Sequence, residues 1–308
     1  MAILDRALVT LLPAVPKPVV RRLAERYIAG PDVEDAVRVV RGLNNNAKLA
    51  TIDVLGEEIT HADEARAIAG AYHDVLETID RERLDSNVSV KLTALGVDLS
   101  LDLCRENLEA LAVDAAARDN FVRIDMEDSS TTDQTLALSR ELLEAGHDRL
   151  GIVLQATLKR TLADVDALAD LRPNVRLCKG IYVEPATIAF REFEAVRTNF
   201  ARVLDALLDA GCYVGIATHD EWLLEQARRA VAERGLGREE YEFQMLLGVR
   251  PELGDELARE GHGLRIYVPF GTQWYEYSLR RLQENPKIAG YVAADTVGRL
   301  LHPRRNGR

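Results

Sequence analysis

The stretch VRIDMEDSSTTDQTLALSRELLEAGHDRLGIVLQ, from Val122 to Gln155, decides the fold. It opens on an apolar run, Val122–Met126, too short for a helix and closed by Glu127-Asp128-Ser129-Ser130. An amphipathic segment, Thr132–Ala145, follows, and a second apolar run, Gly151–Gln155, ends it. Strand, helix and strand at this spacing make a crossover long enough for two parallel strands. Working outward in both directions, the same rhythm recurs. Apolar runs stand at Ala50–Leu55, Val88–Leu92, Val175–Cys178, Tyr213–Ala217, Tyr241–Leu246 and Leu264–Val268. Asp63–Ile79, Thr161–Asp170, Pro185–Ala210 and Glu221–Arg234 supply further amphipathic helices between them. Near-continuous apolarity within each run suits strands covered on both faces, as in a parallel sheet. Eight such units favour a closed, distorted (β/α)8 TIM-type barrel over an open doubly wound sheet. No G-x-G-x-x-G follows the first strand, which weakens the Rossmann alternative.

Ahead of the barrel, Pro18–Ile28 and the segment after Pro31-Asp32 (Val33, Ala36, Val37, Val40) suggest two short helices. Residues 1–45 are therefore expected to form a helical arm and residues 46–308 the catalytic barrel. With 308 residues, 47% of them apolar, the chain can bury a large core without disulfides or a structural metal. Its formal net charge of -11 argues against a nucleic-acid binder, which needs a basic stripe. The three cysteines, Cys104, Cys178 and Cys212, show no metal-ligand spacing and suit a reducing compartment. Neither a secretion signal nor an apolar run long enough to span a bilayer is evident, so a cytoplasmic protein is expected.

In this barrel class, function collects at the C-terminal ends of the strands. Those ends carry Lys91, Asp125-Met126-Glu127, Gln155, Lys179-Gly180-Ile181-Tyr182, Thr218-His219-Asp220 and Gln244-Met245. Arg176 lies within strand five and Tyr267 within strand eight. Tyr277, Arg280 and Arg281 follow on the next helix. So many ionisable and amide groups at one rim form a site pattern rather than a packing pattern. Singly, each has a plainer reading. Lys91 reads equally as a lysine snorkelling at a strand end or as a Schiff-base nucleophile. His219 alone is more often structural than catalytic. Asp125, inside an apolar strand, needs a cationic partner such as Lys91. Arg280-Arg281 would ordinarily be a solvated face, although arginine is well shaped to grip a carboxylate.

Taken in order, six segments resemble the proline dehydrogenase family. They are Val90–Gly96, Arg123–Glu127, Arg176–Tyr182, Ala217–His219, Arg265–Thr272 and Tyr277–Asn285, and together they cover roughly residues 45 to 290. The resemblance implies FAD as cofactor and L-proline as substrate. Lys91, Arg280 and Arg281 would then hold the proline carboxylate, and Asp125 would organise Lys91. Tyr182, Tyr267 and Tyr277 would wall the pocket with Leu177 nearby, and Glu284 would tie down an arginine. The flavin would be held by Met126, Gln155, Arg176, Lys179, Gly180, Ile181, Thr218 and His219, with Gln244 and Met245 beside them. Arg176 would sit near the isoalloxazine ring, where its charge stabilises anionic reduced flavin. Ile181 stands where the family carries alanine, and Val183 where its bifunctional members carry tryptophan.

What the resemblance implies for activity is hydride transfer from proline carbon five to flavin N5, giving Δ1-pyrroline-5-carboxylate. Electrons would pass to a membrane quinone through peripheral contact at the inner face of the membrane. The chain is too short to hold an aldehyde dehydrogenase half, so a separate pyrroline-5-carboxylate dehydrogenase would consume the product. No nucleic acid partner and no metal is implied. Two competing functions stay open on the residues alone: a Schiff-base lyase or aldolase using Lys91, and a non-catalytic proline or flavin sensor.

Overall fold

A computed structural model of the chain describes residues 26–56 and 59–275. Eight strands alternate with helices: β1 (Leu49–Val54), β2 (Ser86–Lys91), β3 (Val122–Asp125), β4 (Leu150–Gln155), β5 (Asn174–Cys178), β6 (Val214–Ala217), β7 (Tyr241–Leu246) and β8 (Leu264–Phe270). Each pairs in parallel with the next, and β8 returns to β1, so the sheet closes into a barrel. The (β/α)8 expectation holds. The helices are α1 (Val33–Asn44), α2 (Ala62–Glu82), α3 (Leu101–Ala117), α4 (Thr132–Glu144), α5 (Thr161–Leu168), α6 (Phe193–Asp209), α7 (Glu221–Glu233) and α8 (Pro251–Arg259).

Because successive strand residues point to opposite faces, one parity faces the helices and the other the lumen. The outward set is hydrocarbon: Val88, Val90, Ile124, Leu154, Leu177, Phe243 and Val268 are buried in one continuous core with the helices. Each such aliphatic side chain contributes about 1.5–3 kcal/mol by leaving water. The inward set departs from the branched-aliphatic layers common in this barrel class. Thr51, Asp53, Asn87, Ser89, Arg123, Gln155, Arg176, Glu242 and Gln244 are all buried polar groups. Apolarity on both strand faces is thus corrected to an apolar outer face and a mostly polar inner one, where Val153 is an apolar exception.

A large polar side chain inside a barrel needs room, and Gly151 supplies it. A Cβ there would lie 2.5 Å from the Asn174 carbonyl oxygen and 2.6 Å from Arg123 Nη1. Arg123 uses that space to donate from Nη1 to the backbone oxygens of Ile152 (2.9 Å) and Asn174 (2.7 Å). Burial pulls the Arg123 guanidinium down to about 9.

The N-terminal region differs from its expectation. Helix α1 is present, but Ala36, Val37 and Val40 belong to the same hydrophobic core as the barrel strands. It packs against β8 and β1, so a boundary at residue 45 divides a single core. Most of the other expected helix, Pro18–Ile28, lies outside the described residues, and Arg26–Tyr27 is a turn. Helix α6 is also shorter than Pro185–Ala210. The Phe190 amide donates to the Thr157 carbonyl (2.8 Å) and the Lys159 amide to that of Ile188 (2.9 Å). That pairing holds residues 185–192 against the loop after β4, and the helix begins only at Phe193.

Candidate active site

The rim is built around two carboxylates on neighbouring strands. Asp125, ending β3, accepts from Arg176 Nη1 (2.6 Å) and Ser89 Oγ (2.7 Å) through one oxygen. Its other oxygen accepts from the Tyr267 hydroxyl (2.8 Å). Arg176 also lies over the Tyr267 ring, 5.3 Å from its centroid. The expected pairing of Asp125 with Lys91 is therefore corrected. Lys91 donates instead to Asp53 of β1 (3.1 Å). The Tyr72 hydroxyl reaches the same Asp53 oxygen from α2 (3.2 Å).

Asp53 is the residue that sequence reasoning missed. It is completely buried, and its Oδ2 has no hydrogen-bond partner among the described residues. Burial raises its carboxyl above the usual range; the Lys91 charge pulls it down and the Asp125 charge pushes it further up. The signal was present in the sequence. Asp53 stands in an apolar run just as Asp125 does, and the same demand for a cationic partner applied to it.

Arg176 is the centre of the assembly. Its side chain is 8% exposed, and Nε donates to Gln244 Oε1 (2.5 Å) while Nη1 is shared by Asp125 and Ser89 (3.2 Å). Nη2 makes no hydrogen bond with any described residue. Arg176 and Gln244 thus meet inside the lumen.

The loop after β5 forms a second part of the rim. Gly180 has φ +98, and a Cβ on it would stand 2.3 Å from Thr157 Oγ1 and 3.0 Å from Gln155 Oε1. Thr157 Oγ1 is itself buried with no hydrogen-bond partner among the described residues. Gln155 directs its amide nitrogen to the carbonyls of Met126 and Glu127, both at 3.0 Å, which ties the β3 exit to the β4 exit. Lys179 pairs with Asp220, the N-cap of α7, and Arg197 joins them at 2.7 Å. Those two cations hold the Asp220 carboxyl down at about 2, although its burial works the other way. Thr218 Oγ1 accepts from the Asp220 amide (3.2 Å), and His219 Nε2 accepts from the Leu246 amide (3.0 Å). That second bond makes Nδ1 the protonated nitrogen of a neutral His219.

Not every expected residue points into the mouth. Leu177 alternates with Arg176 on β5, so its fully buried side chain faces the helices and lines no pocket. Met245 alternates with Gln244 in the same way and packs toward α8, where its sulfur lies 3.5 Å from the Cβ position of Gly254. Any role for either at the mouth is confined to the backbone. Met126 is buried, Ile181 is 53% exposed and Tyr182 is half-buried at the rim. Tyr277, Arg280, Arg281 and Glu284 lie outside the described residues. A groove of about 810 Å³ runs on the outer helical surface, lined by His73, Glu77, Glu106, Glu109 and Asp114, and holds none of the rim groups.

The model of the proline dehydrogenase family matches residues 36–294. The chain belongs to the proline dehydrogenase family. Proline dehydrogenase 1 of Bacillus subtilis subsp. natto is 40% identical over 269 residues, spanning 87% of this chain and 89% of that protein. Proline dehydrogenase of Deinococcus radiodurans is 37% identical, with 88% of each covered. The bifunctional protein PutA of Escherichia coli is 26% identical over 90% of this chain but only 24% of its own length. Among solved structures, proline utilization A from Bdellovibrio bacteriovorus superposes with a TM-score of 0.83 at 23% identity. It covers 91% of this chain and 36% of its own and supports the shared fold. The chain is accordingly an enzyme of proline oxidation, the first step of proline catabolism. Among the described residues, no helix is long and apolar enough to cross a membrane.

Proposed function

We propose that this enzyme oxidises L-proline to Δ1-pyrroline-5-carboxylate with bound FAD and delivers the electrons to a membrane quinone. The observation that carries the cofactor is Arg176. A guanidinium 8% exposed, with Nε and Nη1 held by Gln244, Asp125 and Ser89, keeps Nη2 for a ligand at the mouth. A rigid cation suits a flavin ring that becomes negative on reduction. Gly180 lets its loop close against Thr157 and Gln155, where a Cβ would stand 2.3 Å from the Thr157 hydroxyl, and that close approach shapes the backbone the ligand would meet. The orphan Thr157 hydroxyl beside it offers a further polar contact.

When bound, FAD supplies the two-electron acceptor. The protein's part is binding, orientation and exclusion of water. Met126, Gln155, Lys179, Gly180, Ile181, Thr218 and His219 would hold the cofactor. The proline carboxylate would be gripped by Lys91, Arg280 and Arg281, with Glu284 bracing an arginine. Asp53, not Asp125, aims Lys91 at that task through the 3.1 Å bond. Tyr182, Tyr267 and Tyr277 would wall the ring. Tyr267 owes its position to the hydrogen bond it donates to Asp125. Product leaves to a separate pyrroline-5-carboxylate dehydrogenase. The protein is cytoplasmic and meets the membrane peripherally, at its inner face.

The competing Schiff-base lyase needs Lys91 as a neutral amine in an apolar pocket. Lys91 instead donates to a buried carboxylate, which favours its ammonium form. The test is a visible spectrum of the purified protein before and after L-proline under anaerobic conditions. A yellow protein whose flavin band bleaches supports the proposal, and turnover with a quinone separates an oxidoreductase from a sensor. A colourless protein that takes up no flavin refutes it.

A further inference from the structure

Beneath the rim, the lumen holds a layer remote from the strand ends. Its centre is Glu242 of β7, 2% exposed and surrounded by polar groups. Glu242 Oε1 accepts from Arg265 Nε (2.7 Å) and from Gln244 Nε2 (2.6 Å). Gln244 in turn offers its oxygen to Arg176 Nε (2.5 Å). We propose that Glu242 is a positioning residue for the redox centre: by anchoring the NH2 end of the Gln244 amide, it fixes in place the carbonyl that Arg176 Nε donates to, and so sets how Arg176 Nη2 is presented to the cofactor. The inference rests on the flavin reading above and deepens it.

The physical case is one of donors and acceptors. An amide has a donating end and an accepting end, whereas an ionised carboxylate only accepts. Arg265 beside Glu242, its own bond from Gln244 and the nearby Arg123 charge keep that carboxyl below its usual range despite burial. Gln244 must therefore turn its NH2 group down to Glu242 and its carbonyl up to Arg176. The reverse orientation would set two donors against each other at Arg176 Nε and leave a buried charge facing an acceptor. With Nε held by Gln244 and Nη1 by Asp125 and Ser89, two of the three nitrogens define the guanidinium plane. Nη2 then has a single direction. Unlike Asp125, Glu242 contacts neither Arg176 nor the mouth, and it acts through Gln244.

The test uses the flavin-loaded holoenzyme. In Glu242→Gln the charged acceptor that anchors the Gln244 NH2 group is gone, so the Gln244 carbonyl is held from the Arg176 side alone and the Arg176 plane is less firmly braced. The expected result is a roughly tenfold weaker stabilisation of reduced flavin, a fall of ~30 mV in the two-electron midpoint potential. The affinity for sulfite, which also places negative charge on the flavin, should fall in step. The turnover number should drop while KM for proline stays near wild type. Gln244→Leu leaves the Glu242–Arg265 pair in place and should lower the potential similarly. The double variant should shift it no further than either single one. If Glu242→Gln does not fold, Gln244→Leu decides alone. A wild-type potential in Glu242→Gln, or in Gln244→Leu, overturns the relay. A wild-type protein that binds no flavin overturns the cofactor reading and the relay with it, and the unmodified spectrum tells the two failures apart.

Discussion

Replacing Gly180 by alanine tests the cofactor cradle most directly. Gly180 sits at φ +98, a region that costs an L-residue roughly 1–2 kcal/mol or more. The new methyl would also start 2.3 Å from Thr157 Oγ1. Driving Thr157 off its rotamer to make room adds about 0.5–1.5 kcal/mol. Together these come to about 1.5–3.5 kcal/mol. If the loop relaxes in the free protein and must be restored on binding, flavin affinity falls ~10–300-fold. Titration of apo-protein against flavin fluorescence measures this. Thr157→Ala removes the offending oxygen, so the double variant should recover about a third of the lost binding energy and keep the backbone part. A Gly180→Ala protein with wild-type flavin affinity would refute the cradle. No recovery in the double variant would refute the contribution of the overlap.

Two further outcomes follow from packing and charge. Gly151→Ala puts a methyl 2.5 Å from the Asn174 carbonyl oxygen, which is backbone and cannot swing aside, so a loss of ~3 kcal/mol is expected in urea unfolding. An unchanged urea midpoint would show that Arg123 does not need that space. Asp220 has its carboxyl lowered to about 2, so its ion pairs stabilise the fold above pH 4 and lose that effect as pH falls through 2. With Lys179 29% exposed, solvent screening reduces the contribution to about 1–2 kcal/mol. The stability gap between wild type and Asp220→Asn should therefore be widest near neutrality and close between pH 4 and pH 2; a gap independent of pH would contradict the pairing.

Much of the barrel was legible because a strand's outward parity must be hydrocarbon wherever a helix covers it. All eight apolar runs became strands within a residue or two of their expected bounds. The lumen was legible only in hindsight. In Tyr241-Glu242-Phe243-Gln244-Met245 the alternation of apolar and polar is plain. Its meaning depends on which parity faces inward, and that is settled when the eighth strand pairs with the first. The unexpected loop at 185–192 has a similar origin, since its partner, the Thr157–Lys159 segment, is distant in sequence.

From sequence alone came the residue types at the rim, the order of strands and helices, and the family. Those are local or cumulative properties, expressed in periodicity and in motifs read along the chain. Partnerships were decided by tertiary structure. Lys91 belongs to Asp53, 38 residues away, and Asp125 to Arg176, 51 residues away. Either carboxylate satisfied the demand for a countercharge on paper. Closure and register put each cation within hydrogen-bond reach of only one of them, because an ion pair forms between neighbours in space and carries no mark of its partner along the chain.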